Sequence, residues 1–373
     1  MWVHQLRIEN VKGFRGPPND VELDFERPDG TLAGWTVIAG RNGAGKSSFL
    51  QAIAVSLAGP EAARTLQESW AGWIRAGRPS AVVTTRIRYS PQHDRFIETG
   101  RRPKQSFWTG LKWDVTEQGP EPIMSPYRQT SHTSSRTAAR GPWAENPSGW
   151  LMAGYGPFRR LSSAASDAQR LMVGPGHVSQ LVSLFREDAS LSESIRWLQE
   201  IYLRRLEQKE GWAELEQVVL MLLDDGLLPS EMTVRRVDSD GLWVEHQGVV
   251  LPLEQLSDGY RTVAALVLDI VRHLYQTYGT LTLEKTANGV TLPYPGIVLI
   301  DEVDAHLHVS WQQVIGFWLK TRFPQIQFIV STHSPFVCQA ADPRGLIRLP
   351  APGEHRRAEH VDDEMFIRVV NCK

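Results

Sequence analysis

Thr36-Val-Ile-Ala-Gly40-Arg-Asn-Gly-Ala-Gly-Lys46-Ser47-Ser48-Phe-Leu50 is the stretch from which the fold follows. Thr36–Ala39 is a short buried β-type run. It enters a glycine-rich turn that fits G-x-x-x-x-G-K-[ST]. From Ser47 to Leu57 the apolar residues Phe49, Leu50, Ile53, Ala54 and Leu57 recur at helical spacing. A strand, a tight loop and a helix N-terminus in succession suit a phosphate. The glycines let backbone N–H groups turn inward around its oxygens, and the helix adds the positive end of its dipole. Gly40, Arg41, Asn42, Gly43, Ala44, Gly45 and Ser48 are read as the cradle, Lys46 as the contact to the β and γ phosphates of a nucleotide, and Ser47 as a Mg²⁺ ligand.

Downstream, Ile297-Val-Leu-Ile-Asp301-Glu302 is a four-residue apolar strand ending in two acids. Open α/β sheets bind ligands at the carboxyl ends of their strands. Asp301 is therefore read as holding Mg²⁺ directly or through water, and Glu302 as orienting or deprotonating the attacking water. His333 follows the next predicted strand, Gln327–Ser331, where an imidazole can meet the γ phosphate and steady the carboxylate. Leu256-Ser257-Asp258-Gly259-Tyr260-Arg261 opens a predicted helix, and Ser257, Asp258 and Gly259 make a second anion site at a helix N-terminus. One triphosphate does not need two such sites in one pocket. The second site is expected to face the γ phosphate held by another subunit, in an ATP-dependent head-to-tail homodimer or higher assembly.

The rest of the chain bounds the answer. Of 373 residues, 42% are hydrophobic and 22% charged, with a net charge of −2, so no global positive field draws nucleic acid to it. Two cysteines, Cys338 and Cys372, make no disulfide framework and suit a reducing cytoplasm. The opening MWVHQLRIEN has no apolar signal segment, and no apolar run reaches membrane-span length. Alternating strands are expected over 3–9, Val21–Phe25, Ala81–Tyr89, Phe107–Val115 and Leu151–Tyr155. Helices are expected across most of 178–225, with Leu181, Leu184, Leu191, Ile195, Leu198, Ile201, Tyr202 and Leu206 on one side, and over Tyr260–Tyr275 and Val309–Phe323. A hairpin is expected at Thr233–Val237 and Leu242–Glu245. The Pro-, Ser-, Thr- and Gly-rich stretch 117–148 reads as a long surface loop.

These elements, in this order, resemble the ABC-type ATPase superfamily. Leu6-Arg-Ile-Glu-Asn-Val-Lys-Gly-Phe14, Arg41-Asn42-Gly43 and Ile74-Arg75-Ala76-Gly77 are similar to its RecF, SMC and overcoming-lysogeny branch. Asp301-Glu-Val-Asp-Ala-His-Leu-His308, Thr332-His-Ser-Pro335 and Gly154-Tyr-Gly-Pro-Phe-Arg-Arg160 resemble small bacterial ATPases of antiphage defence such as the Septu ATPase. The resemblance implies an α/β P-loop NTPase with a mixed sheet core and an inserted helical lobe. ATP and Mg²⁺ are the implied cofactors, and a separately encoded effector, a nuclease or toxin, the implied partner. DNA is a further implied partner, with Arg75 as the residue to meet it. Where the superfamily places a Mg²⁺-sensing glutamine, this chain has Gly156-Pro-Phe-Arg159. The chain is too short for a long coiled-coil arm, and the residues after His333 are too few for a Toprim nuclease domain, so it is not expected to cut DNA itself.

The expected division is an N-terminal ATPase lobe at 1–160, a helical lobe with a β-hairpin at 161–250, a C-terminal ATPase lobe at 251–345 and a tail at 346–373. Rival functions are a RecF-type DNA repair clamp, a transporter ATPase subunit and a non-hydrolysing ATP-bound scaffold. Glu302 argues against the last. Arg101, Arg102, Lys104, Trp108, Lys112 and Trp113 interleave base and aromatic, which could stack on nucleic acid, although a solvated hairpin with inward aromatics explains them more simply. His306 and His308 are read with Asp304 as part of the loop linking two active sites, not as metal ligands. Trp197 and Trp311 are expected in the core.

Overall fold

The computed structural model describes residues 1–97, 100, 102–117, 119–127, 135–159, 167–173, 176–228, 232–351 and 354–361. Arg101, Arg160 and Cys372, and parts of the 117–148 and 346–373 stretches, lie outside these residues.

Two large sheets face one long helix. The first has six strands, in the order Glu359–His360, Leu346–Arg348, Gly34–Ala39, Ile326–Ser331, Gly296–Ile300 and Met152–Tyr155. Every neighbouring pair is parallel except the first. Gly296–Ile300 and Ile326–Ser331 are buried at every residue. A sheet covered on both faces requires this, and it accounts for their largely apolar sequence, in which Gln327 pairs its side chain with the Val3 backbone and Ser331 ends its strand. The second sheet is antiparallel, in the order Val21–Asp24, Trp2–Glu9, Ser80–Arg88, Ser106–Thr116 and Gly119–Pro126.

The helix Lys46–Leu66 packs against strands of both sheets. It is buried without interruption from Ala52 to Gly59, as a helix between two layers must be. It kinks at Gly59, which has φ 87°, followed by Pro60. Pro60 has no N–H to give the Ser56 carbonyl four residues back. Trp143 supplies one instead, its Nε1 donating to Ser56 O at 3.1 Å. The Trp143 ring lies so close that a Cβ on Gly59 would come within 2.5 Å of it.

The stretch 117–148 is not a continuous loop. It contains the strand Gly119–Pro126 and the short helix Ser135–Ala139. The strand lies at the edge of its sheet, where Pro120, Pro122 and Pro126 need no N–H partner, so a strand can carry a loop-like composition. The neighbouring aromatics divide between the two faces of their strand: Trp108 is half-buried beside an open cavity, whereas Trp113 points inward. The rings of Trp70, Trp73 and Trp113 lie 4.7–5.5 Å apart in a buried cluster, which takes Trp113 away from any stacking surface.

The helical region contains Asp167–Val173, His177–Phe185, Ser192–Leu206 and Trp212–Asp224. Leu206, expected on the apolar side, is 56% exposed at the helix end. The expected hairpin gains a third strand, giving Met232–Asp238, Gly241–His246 and Val249–Pro252. Trp197 and Trp311 are buried. No helix among the described residues is long and apolar enough to cross a membrane.

Candidate nucleotide site

The sheet order builds the site. Gly34–Ala39, Ile326–Ser331 and Gly296–Ile300 are consecutive parallel neighbours, with Ile38 opposite Ser331 and Val330 opposite Ile300. Their carboxyl ends are therefore level, and the loops leaving them share one crest.

On that crest the phosphate loop turns through Gly43 and Gly45, at φ 78° and 91°. Gly45 is the residue before the helix Lys46–Leu66, and a Cβ there would sit 3.0 Å from Phe14 Cζ. Phe14 in turn meets Phe49 edge-on at 6.4 Å, so the Lys12-Gly-Phe14 segment is a wedge behind the loop. Arg41, Asn42, Gly43 and Ser47 are exposed, Ala44 is buried, and Gly45 and Ser48 are half-buried. The Lys46 ammonium donates to Gly40 O at 3.1 Å, Arg41 O at 3.4 Å and His333 Nε2 at 2.9 Å. Burial lowers its pKa, opposed by the carboxylates of Asp301, Glu302 and Asp304.

Asp301 is 3% exposed. The Ser331 hydroxyl donates to its carboxylate and accepts the Glu302 N–H at 2.8 Å. Glu302 lies in the left-handed region at φ 46°, which costs a non-glycine residue about 1 kcal/mol. Its carbonyl accepts from Ala305 N at 2.8 Å and Arg159 Nη2 at 2.9 Å. Asp304 accepts the Thr332 hydroxyl at 2.5 Å and the His333 N–H at 3.3 Å, joining the acidic loop to the histidine loop. Neither Ser331 nor Thr332 was singled out from the sequence. The available signal is a hydroxyl pair directly after the apolar run Phe328-Ile-Val330. The Arg159 guanidinium is buried and donates to backbone carbonyls. Burial pulls its pKa down to about 10, against the raising effect of Asp301, Asp304 and Glu302, so it stays charged at neutral pH. Having no lone pair to offer, it is not itself a metal ligand.

Ser257, Asp258 and Gly259 stand elsewhere. Ser257 precedes the helix Asp258–Tyr278, and its hydroxyl makes no cap bond to it. Gly259 lies against the acidic loop, where a Cβ would be 3.1 Å from His306 O. His306 is exposed, and His308 caps the helix Val309–Arg322 by accepting from Ser310 N. Arg75 donates to Gly13 O at 2.5 Å, tied to the wedge behind the phosphate loop. A cavity of about 250 Å³ opens beside Gly43 and Ala44, lined also by Phe14, Arg15, Glu354 and Arg356. Arg15 meets His355 there at 2.8 Å.

Residues 5–101 match the AAA domain family. Residues 157–339 match a second family, described as "AAA domain, putative AbiEii toxin, Type IV TA system". Septu protein PtuA of Bacillus mycoides (strain KBAB4) is 27% identical over 334 residues, covering 90% of this chain and 38% of that protein. Retron Ec83 probable ATPase of Escherichia coli is 44% identical over 117 residues, 31% of this chain and 20% of that protein. The chain thus spans less than half the length of these curated relatives. Among solved structures, the SMC head bound to the C-winged helix domain of ScpA aligns with TM-score 0.56 at 16% identity, over 99% of this chain and all of that one. The SMC head domain from Thermotoga maritima gives 0.51 at the same identity, over 97% of this chain and 100% of that one. At that identity the likeness speaks for the fold.

Proposed function

We propose that this chain, an α/β P-loop ATPase with AAA domains and an SMC-head-like fold, is a switch that closes around ATP, hydrolyses it and so controls a partner effector in antiphage defence. The observation that carries the reading is the meeting of Lys46, His333, Asp301 and Glu302 on the ends of three adjacent parallel strands. In this reading the backbone of Gly40–Gly45 and the Lys46 ammonium bind the phosphates, and the cavity beside Gly43 and Ala44 takes the nucleoside. Glu302 accepts a proton from the attacking water. His333 donates a ring N–H to the γ phosphate, so in the nucleotide-bound state that nitrogen no longer accepts from Lys46 as Nε2 does here.

The residues present fit a Mg²⁺ ion. The donor set is the exposed Ser47 hydroxyl and the buried Asp301 carboxylate, which Ser331 orients, and hard oxygen ligands of this kind suit that ion. When bound, Mg²⁺ would neutralise phosphate charge. In the proposed assembly Ser257–Gly259 of one subunit meet the nucleotide of the other. Their position at the helix end against His306 supports this, since the loop carrying His306 leads directly from Glu302. The lobes at 1–160, 161–250 and 251–345 and the tail at 346–373 are retained as the proposed division. Likeness to a Septu protein and a retron ATPase supports the defence role, and a separately encoded effector such as a nuclease is the partner proposed with it.

The test is ATP turnover and particle mass for wild type and Glu302→Gln, with and without ATP–Mg²⁺. The reading expects wild-type turnover and a Glu302→Gln protein that loses it yet is trapped by ATP as a dimer or larger assembly. A Glu302→Gln variant that hydrolyses normally would overturn the assignment of that carboxylate. A wild type that neither hydrolyses nor changes mass would overturn the switch.

A further inference from the structure

The strand Met152–Tyr155 runs into Gly156-Pro-Phe-Arg159, and Arg159 reaches the loop that follows the neighbouring strand Gly296–Ile300. Its side chain is almost wholly buried. Nη1 donates to Gly156 O at 2.9 Å and Asp301 O at 2.8 Å. Nη2 donates to Glu302 O at 2.9 Å and Val303 O at 3.4 Å. The carbonyls of three successive residues are thus gathered on one cation. Along a strand successive carbonyls point to opposite sides, and in a helix they run parallel to the axis, so in neither do three of them meet on one point. Their convergence here accompanies the left-handed backbone of Glu302. A glutamate has no preference for that region, so its surroundings must hold it there. Ser331 holds the peptide on the N-terminal side of Glu302 through its N–H, and Arg159 holds the peptide on the C-terminal side through its C=O. Together they set the direction in which the glutamate side chain leaves the backbone.

We infer that Arg159 is a positioning residue for Glu302, acting on hydrolysis by fixing the backbone that aims this carboxylate and not by touching nucleotide or metal. The inference rests on the role proposed above for Glu302. Only arginine has a planar fork with enough donors for four carbonyls. Lysine would serve one or two of them from a single point, and glutamine has a single NH₂ group. At the place where related ATPases are expected to carry a metal-sensing side chain, this chain has a donor-only clamp on the acidic loop.

The experiment measures steady-state hydrolysis, equilibrium ATP–Mg²⁺ binding and thermal melting of the full chain. The variants are Arg159→Gln, Arg159→Lys, Glu302→Gln and the double variant of Arg159→Gln with Glu302→Gln. Arg159→Gln is expected to lower kcat by roughly tenfold to a hundredfold, the scale of a misplaced reacting group, with the Kd for ATP changed less than about threefold. Arg159→Lys recovers part of the loss. In the Glu302→Gln background, Arg159→Gln lowers turnover no further, because its effect passes through that carboxylate. Additive losses in the double variant overturn the inference. So does a rise in Kd that matches the fall in kcat, or an unchanged kcat with an altered Mg²⁺ or Mn²⁺ requirement. If Arg159→Gln melts below the assay temperature, Arg159→Lys decides: lower kcat at unchanged Kd supports the inference, and lost binding overturns it. If Glu302→Gln alone turns over normally, the role of Glu302 has failed and this inference falls with it. Additive losses beside an impaired Glu302→Gln remove the positioning role alone.

Discussion

The Lys46 ammonium and His333 Nε2 lie 2.9 Å apart, joined across 287 residues of chain because the strands Gly34–Ala39 and Ile326–Ser331 are parallel neighbours. An ammonium has donors only, so Nε2 accepts and Nδ1 carries the proton of the neutral ring. In the proposed site the two side chains divide binding from chemistry. Lys46→Ala is expected to lose ATP binding, whereas His333→Ala keeps affinity and loses roughly a hundredfold in turnover. Titration with a fluorescent ATP analogue beside a phosphate-release assay separates the two, and equal loss of binding in both variants would refute the division.

Ser331 is shared by the two acids of the site, donating to Asp301 and accepting from the Glu302 N–H. Ser331→Ala leaves that N–H without its acceptor, a change costing about 1–3 kcal/mol when the group is buried. The expected outcome is a lower melting temperature, a higher Mg²⁺ concentration for half-maximal turnover and a reduced kcat. A variant with wild-type Mg²⁺ dependence would show that Asp301 does not rely on the hydroxyl.

Away from the crest, Tyr155, Asp269, Arg272 and His273 form a buried polar group between the strand Met152–Tyr155 and the helix Asp258–Tyr278. Burial alone would raise the Asp269 carboxyl, yet Arg272 and His273 hold it far below the usual carboxylate range. Asp269→Asn leaves the Arg272 guanidinium buried without its counter-charge, and is expected to destabilise the fold by about 3–5 kcal/mol. Urea unfolding of the variant measures this. A loss below about 1 kcal/mol would mean that the cluster relaxes or hydrates.

His177 gives the stability a pH signature. Burial lowers its pKa from 6.5 to about 4, opposed by its hydrogen bond to Gln180. Between these values the unfolded chain binds the proton and the folded one does not. Its contribution is therefore fully present above pH 6.5 and is lost as the pH falls towards 4, by about 3 kcal/mol if the whole shift is expressed. Unfolding free energies measured across this range for wild type and His177→Gln should show a shallower slope in the variant. Parallel curves would remove His177 as the cause.

Much of the fold could be read directly along the chain, because the signals that specify it are local. Glycine spacing beside Lys46 and the helical period after it mark the strand, loop and helix within 22 residues, Thr36 to Leu57. The apolar run before Asp301 marks a strand covered on both faces. Composition misled where an edge changes the rules, as in Gly119–Pro126, whose prolines suit a strand paired on one side. Leu206 misled because a helix end exposes a position that the period assigns to the core.

The sequence by itself determined the pieces of the proposed site: a glycine-rich loop with Lys46, an acidic strand end and a following histidine, each a pattern of a few adjacent residues. Only the tertiary structure decided how these pieces meet. The histidine strand lies between the other two, Ser331 serves both acids, and Arg159 gathers the carbonyls of Asp301, Glu302 and Val303. The register of parallel strands distant in sequence, and the convergence of backbone carbonyls on one guanidinium, are properties of packing. No local pattern encodes them, because the groups involved are backbone atoms that every residue carries.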